Sequence, residues 1–123
     1  MKLYTAQFRY SGSDRIDITA RTPDKYGKLF APPWSLVSDY KHDIIDEDEY
    51  TDRYSDVLLH AIGSNPALWV KFLELESATL VCYCRASAFC HRFVAVEFCK
   101  IMCKTKAIKH LGERMLPTWE VKK

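Results

Sequence analysis

The stretch Ala78–Cys84 constrains the fold of this chain more than any other. It is nearly all apolar, rich in β-branched residues and of strand length. A strand with no polar face must be covered on both sides, which is the signature of a strand inside a parallel sheet. Helical patterns flank this run, as crossover connections between parallel strands are commonly helical.

The clearest helix precedes it. Asp46 stands three residues before Glu49 in a capping-box spacing. Tyr50, Tyr54, Val57, Leu58 and Ala61 then follow on one helical face. Gly63 is expected to end this helix and Asn65-Pro66 to start another as N-cap and first residue. Leu68, Trp69, Phe72 and Leu75 supply its buried face. Two strands are expected near the start, at Lys2–Phe8 and Arg15–Ala20. In the second, Ile16 and Ile18 alternate with Asp17 and Thr19. Arg21–Lys28 reads as a polar loop and Phe30–Trp34 as a proline-rich connector, with a short helix at Trp34–Lys41. After the apolar strand, a helix opens at Cys90 or His91 and reaches about Lys104, burying Val94, Phe98, Ile101 and Met102. Ile108–Leu111 is expected to add a last strand. Strands alternating with helices give an open α/β sheet, mostly parallel, in a single domain over residues 1–123.

Composition closes off several function classes. With 48% apolar and 28% charged residues, the chain is neither disordered nor fibrous. Eighteen Lys and Arg against sixteen Asp and Glu leave +2, too weak a charge to argue for nucleic acid on its own, so a nucleic-acid partner is not expected. No apolar stretch approaches the roughly 20 residues of a membrane span. Lys2, Gln7 and Arg9 are inconsistent with a secretory signal, so a cytoplasmic location is expected. All five cysteines (Cys82, Cys84, Cys90, Cys99 and Cys103) cluster in the last third, which argues for a reduced compartment and against disulfide stapling.

That clustering places any sulfur chemistry in one region. Cys82-Tyr83-Cys84-Arg85 ends the apolar strand, and Cys90-His91-Arg92 opens the next helix. Ligands of parallel sheets bind beyond the carboxyl ends of the strands. A helix N-terminus favours anions and lowers a thiol's pKa, and Arg85 and Arg92 add fork-shaped donors. Zinc held by Cys82, Cys84, Cys90 and His91 is the rival reading. Residues two apart on a strand rarely converge on one ion, and adjacent Cys90 and His91 are expected to diverge, so no metal is assigned. A phosphatase-type loop fails on spacing, since the sixth residue after Cys84 is Cys90. Rhodanese-like sulfur transfer survives only as a thiol after a strand. Cys82, Cys99 and Cys103 are expected in the core, and Tyr50, Tyr54 and Trp69 as helix-face core aromatics.

Val81-Cys82-Tyr83-Cys84 followed by Phe89-Cys90-His91-Arg92 resembles the signature of the domain-of-unknown-function 488 family of bacteria and phages. Tyr4-Thr5, Ile16–Thr19, Phe30-Ala31-Pro32, Trp34, Tyr40-Lys41, Glu49-Tyr50, Tyr54 and Gly112-Glu113-Arg114 extend the likeness along the chain. Pro33 departs from it, standing where a small polar residue is expected. The resemblance implies a small Rossmann-like, three-layer α/β domain and no particular activity. It also implies a site in which Asp17, Thr19, Pro32, Trp34, Glu113 and Arg114 join the Cys/His/Arg cluster around an anionic, nucleotide-like metabolite.

The expected function is therefore binding of such a metabolite, with or without its processing. Cys84 or Cys90 would be the nucleophile, His91 the base and Arg92 the anion clamp, with Arg85 beside it. No cofactor is named by the sequence, and neither catalysis nor oligomeric state is decided by it. The alternatives are a phage-type module that sequesters a ligand or inhibits a host protein, and a metal or redox site.

Overall fold

The computed structural model describes residues 2–83 and 90–102, and the backbone of 109–114. Four strands, β1 (Lys2–Gln7), β2 (Arg15–Asp17), β3 (Ser77–Cys82) and β4 (Lys109–Arg114), form one sheet in the order β2-β3-β1-β4. Every neighbouring pair is parallel. Four helices accompany them: α1 (Trp34–Lys41), α2 (Glu47–Ser64), α3 (Pro66–Leu73) and α4 (His91–Met102).

β3 is the inner strand its composition demands. Ala78, Leu80 and Cys82 face one side, Thr79 and Val81 the other, and all five are buried. The first set merges with Leu3, Ile16 and Ile18 and with the inner residues of the helices into a single core. The described helices all join this core. The described residues thus give two layers, sheet and helices; the second helical layer of the expected three-layer arrangement is not among them.

β1 and β2 flank β3, so the chain crosses from one to the other within residues 8–14. Side chains fasten this short crossing. Arg15 donates to the Phe8 carbonyl at 3.0 Å and lies over the Phe8 ring. Tyr10 donates to Asp14 Oδ1, and the Ser77 hydroxyl reaches Asp14 Oδ2.

β2 stops at Asp17, short of the expected Ala20. Asp17 Oδ1 accepts from both the Thr19 backbone N–H (2.8 Å) and the Thr19 hydroxyl (2.7 Å). This local turn competes with the ladder and bends the chain away. A 3-10 turn at Gly27–Leu29, read from sequence as the end of a loop, then packs against the end of β2. A Cβ on Gly27 would overlap the Asp17 carbonyl oxygen, so only glycine allows this approach.

α1 occupies the expected span. α2 begins at its Asp46 cap, whose carboxylate accepts from Glu49 N–H at 2.8 Å. It runs through Gly63 to Ser64 rather than ending at the glycine. The Asn65 side chain donates back to the Ala61 carbonyl at 3.0 Å, so it serves the end of α2 and does not cap α3. In α4 the expected inner positions Ile101 and Met102 are exposed. Phe98 is buried as expected, and the rest of the inward stripe is Arg92, Ala95, Val96 and Cys99, at i, i+3, i+4 and i+7, packed toward β1, β3 and α2. The last strand is Lys109–Arg114, beside β1, in place of Ile108–Leu111. Cys82, Cys90 and Cys99 are buried and reduced; Cys103 lies outside the described residues. No described helix is long and apolar enough to cross a membrane.

Candidate functional site

Parallel pairing brings the carboxyl ends of β2 and β3 side by side, with Asp17 opposite Val81 and Cys82 the last residue of β3. The first turn of α4 and the Trp34–Val37–Lys41 face of α1 border this edge. Between them lies a cavity of about 540 Å³, within the usual range for small-molecule sites. Its floor is Cys82, Cys90 and His91; one wall is Asp17, Thr19 and Arg21; the other is Trp34, Val37, Tyr40, Lys41 and Tyr50.

His91 is held from several directions. Its Nε2 lies 2.7 Å from the Ile18 carbonyl oxygen. A carbonyl only accepts, so Nε2 carries the proton and Nδ1 presents a lone pair. Nδ1 lies 3.7 Å from Cys90 Sγ. Tyr54 meets the imidazole edge-on at 5.6 Å and is itself anchored by its hydroxyl, which donates to the Phe30 carbonyl at 2.5 Å. Burial pushes the His91 pKa below the ordinary 6.5. The Arg92 charge pushes the same way, while Cys82, the Ile18 hydrogen bond and Asp17 act oppositely. The imidazole is therefore neutral at neutral pH, as a general base or a metal ligand must be.

Arg92 is fully buried and donates to Cys82 Sγ at 3.0 Å. Its guanidinium also stacks beside Phe93, 4.6 Å from the ring centroid. The expected anion clamp thus lies behind the cavity floor, since a fully buried guanidinium is not open to a ligand. The exposed cations are Arg21 and Lys41, which sit 5.8 and 5.5 Å from the centroid of the Trp34 ring. Trp34 itself is 54% exposed and lines the cavity.

Of the residues expected from sequence, Asp17, Thr19, Trp34, Cys90 and His91 come together at this cavity. Pro32 is buried and is not among the lining residues, because Phe30 and its neighbours turn into the core instead. Cys84 and Arg85 lie outside the described residues. Glu113 and Arg114 fall in β4, two strands away from β3, where only the backbone is described.

Two expectations about sulfur are corrected. Cys90 and His91 do not diverge: the residues straddle the helix start, and their Sγ and Nδ1 face each other. Cys82 is buried as expected yet also lines the cavity, and its Sγ lies with Cys90 Sγ and a His91 ring nitrogen within 4.8 Å of one another. These three donors are the described residues that could hold a metal ion. The sequence reading also missed Arg21, Lys41 and Tyr50. Trp34, Val37 and Lys41 share the i, i+3, i+7 face of α1, a signal present in the sequence.

Residues 2–102 match the family model DUF488-N3a, described as the active DUF488-N3 subclade. No curated protein and no solved structure matches the chain.

Proposed function

The chain belongs to the domain-of-unknown-function 488 family, in the subclade described as active, and from that premise we propose that its cavity binds a nucleotide-like anionic metabolite on which Cys90 acts with His91 as base. The observation that carries this reading is the Cys90–His91 pair on the cavity floor, with Nδ1 left basic by the bond from Nε2–H to Ile18. Nδ1 takes the thiol proton, Cys90 Sγ attacks an electrophilic carbon of the ligand, and the departing group recovers the proton from His91. The rest of the cavity supplies what such a ligand needs. The exposed Trp34 indole offers a flat surface, and Lys41 and Arg21 offer charge to an anion. Asp17 and Thr19 offer hydrogen-bonding groups for hydroxyls.

Thermal unfolding in the presence of a panel of nucleoside mono- and diphosphates and nucleotide sugars tests binding. At least one should raise the midpoint with a logarithmic dependence on concentration, and Trp34→Ala should abolish the rise. Alkylation of Cys90 by iodoacetamide tests the pair: its rate should exceed that of a model thiol peptide at neutral pH and drop in His91→Gln. Absence of any stabilising nucleotide overturns the ligand; a Cys90 no more reactive than the peptide overturns the chemistry.

A further inference from the structure

We infer that Cys82, Cys90 and His91 together bind a soft divalent cation, zinc by their donor set, and that this cation switches the thiol chemistry off. The inference rests on the reading of Cys90 and His91 as the working pair and adds the control of that pair.

The geometry is that of a three-donor cage already gathered. Zinc takes sulfur at about 2.3 Å and imidazole nitrogen at about 2.0–2.1 Å in a tetrahedron, so its ligand atoms stand roughly 3.4–3.8 Å apart. Cys90 Sγ and His91 Nδ1 already stand 3.7 Å apart, and all three donors lie within 4.8 Å of one another. Closing the remaining gap takes movements of about an ångström. The surroundings are those a metal-binding histidine needs. The Nε2–H bond to the Ile18 carbonyl fixes the ring so that Nδ1 addresses the cluster. Arg92 donates to Cys82 Sγ and so supplies a hydrogen bond from outside the cage to one of its sulfurs. Two thiolates neutralise the dication, so the loaded floor carries no net charge beyond that of Arg92. Two sulfurs and one nitrogen select zinc over hard cations.

Loading is balanced as follows: both thiols release their protons to water, and the two sulfurs and Nδ1 donate to the cation. Nδ1 then has no lone pair with which to take a proton, and Cys90 Sγ is coordinated. The loaded form has lost its base and its nucleophile, and the metal-free form has both.

The test uses the full chain, first stripped with a chelator under reducing conditions. Cobalt(II) titration of the stripped protein should give tetrahedral visible bands and a thiolate-to-cobalt charge-transfer band at one equivalent. Zinc should displace the cobalt. One equivalent of zinc should slow iodoacetamide alkylation of Cys90 at least tenfold, and chelator should restore the rate. Cys82→Ser should weaken cobalt binding at least tenfold. Cys99→Ala, a change at a buried cysteine outside the cluster, should leave it unaltered. A cobalt spectrum without a thiolate band, or undiminished alkylation in zinc, overturns the cage while a fast metal-free alkylation leaves the Cys90–His91 reading standing. A proper cobalt spectrum with slow metal-free alkylation does the reverse: the cage would be structural, and the switch would be overturned with the pair it controls.

Discussion

Replacing Tyr54 by Phe removes one oxygen from beneath the site and leaves the ring that supports it. The Tyr54 hydroxyl is fully buried and donates to the Phe30 carbonyl at 2.5 Å, joining α2 to the segment that enters α1. Deleting the donor strands a buried acceptor, which costs about 1–3 kcal/mol, and no cavity forms because the ring atoms remain. With a urea slope of about 1.5 kcal/mol/M for a domain of this size, the unfolding midpoint should fall by about 1 M at unchanged slope. Burial, followed by the charges of Tyr50, Cys99, Cys90 and Cys82, also raises the Tyr54 pKa well above 10.0. The folded state therefore holds the neutral phenol while the unfolded chain ionises near 10. This contribution is complete below pH 10 and is lost as pH climbs toward the raised folded value. Phe has no such dependence, so the gap between wild type and variant should narrow above pH 10. The Tyr54–His91 ring contact persists in the variant, and Cys90 alkylation should stay within twofold of wild type. A midpoint shift below about 0.3 M would refute the buried-bond reasoning.

Three further outcomes are expected. Asp46→Ala removes the acceptor for Glu49 N–H at the start of α2 and should cost about 1 kcal/mol, most of it recovered by Asp46→Asn, as read by thermal melts. Thr5 Oγ1 is buried without a hydrogen-bond partner among the described residues, so Thr5→Val should be neutral or stabilising by about 1 kcal/mol in urea titrations; a clear loss would show that the hydroxyl is bonded. His91 is held neutral below its usual 6.5, so in chelator its contribution to stability is complete above that pH and is lost as pH falls toward the depressed folded value; His91→Gln should flatten this acid limb of the stability curve.

The sheet was legible because its inner strand had no alternative. A run such as Ala78–Cys82 cannot meet water on either face, and the observed β3 does not. The α2 cap and the span of α1 were legible for equally local reasons, a side chain reaching three residues on and a proline-bounded start. The face of α4 was not. Sequence periodicity favours Ile101 and Met102 as inner positions on hydropathy, but the helix turns so that Arg92 enters the core beside Phe98 and Cys99, whose burial was expected. A buried guanidinium reads as surface in any apolar pattern; its bond to the Cys82 sulfur, ten residues away, is a contact that no periodicity announces. The cavity was half legible. Asp17, Thr19, Trp34, Cys90 and His91 announce themselves as chemistry-bearing residues near strand and helix ends. Cys82 does not, because a cysteine inside an apolar strand looks identical whether its sulfur meets leucines or an imidazole.

What joins the fold to its chemistry is the backbone at the end of β2. Ile18 N–H donates to the Val81 carbonyl at 3.0 Å, carrying the β2–β3 pairing one residue beyond the strand itself. That bond fixes the plane of the peptide before Ile18, and the buried Ile18 side chain fixes its rotation. Its own carbonyl is thereby aimed past the sheet edge, where His91 Nε2 meets it at 2.7 Å. The tautomer of His91, and with it the basicity of Nδ1 toward Cys90, is thus set by strand register. A change confined to Cys90 or His91 alters the reacting groups themselves. A change that displaces β2, such as Gly27→Ala forcing a Cβ against the Asp17 carbonyl, should leave both residues in place yet free the imidazole to choose the other nitrogen. Such a variant should retain its helical circular dichroism and lose the rate advantage of Cys90 in alkylation. Retention of that advantage would mean that His91 is oriented by α4 and Tyr54 alone.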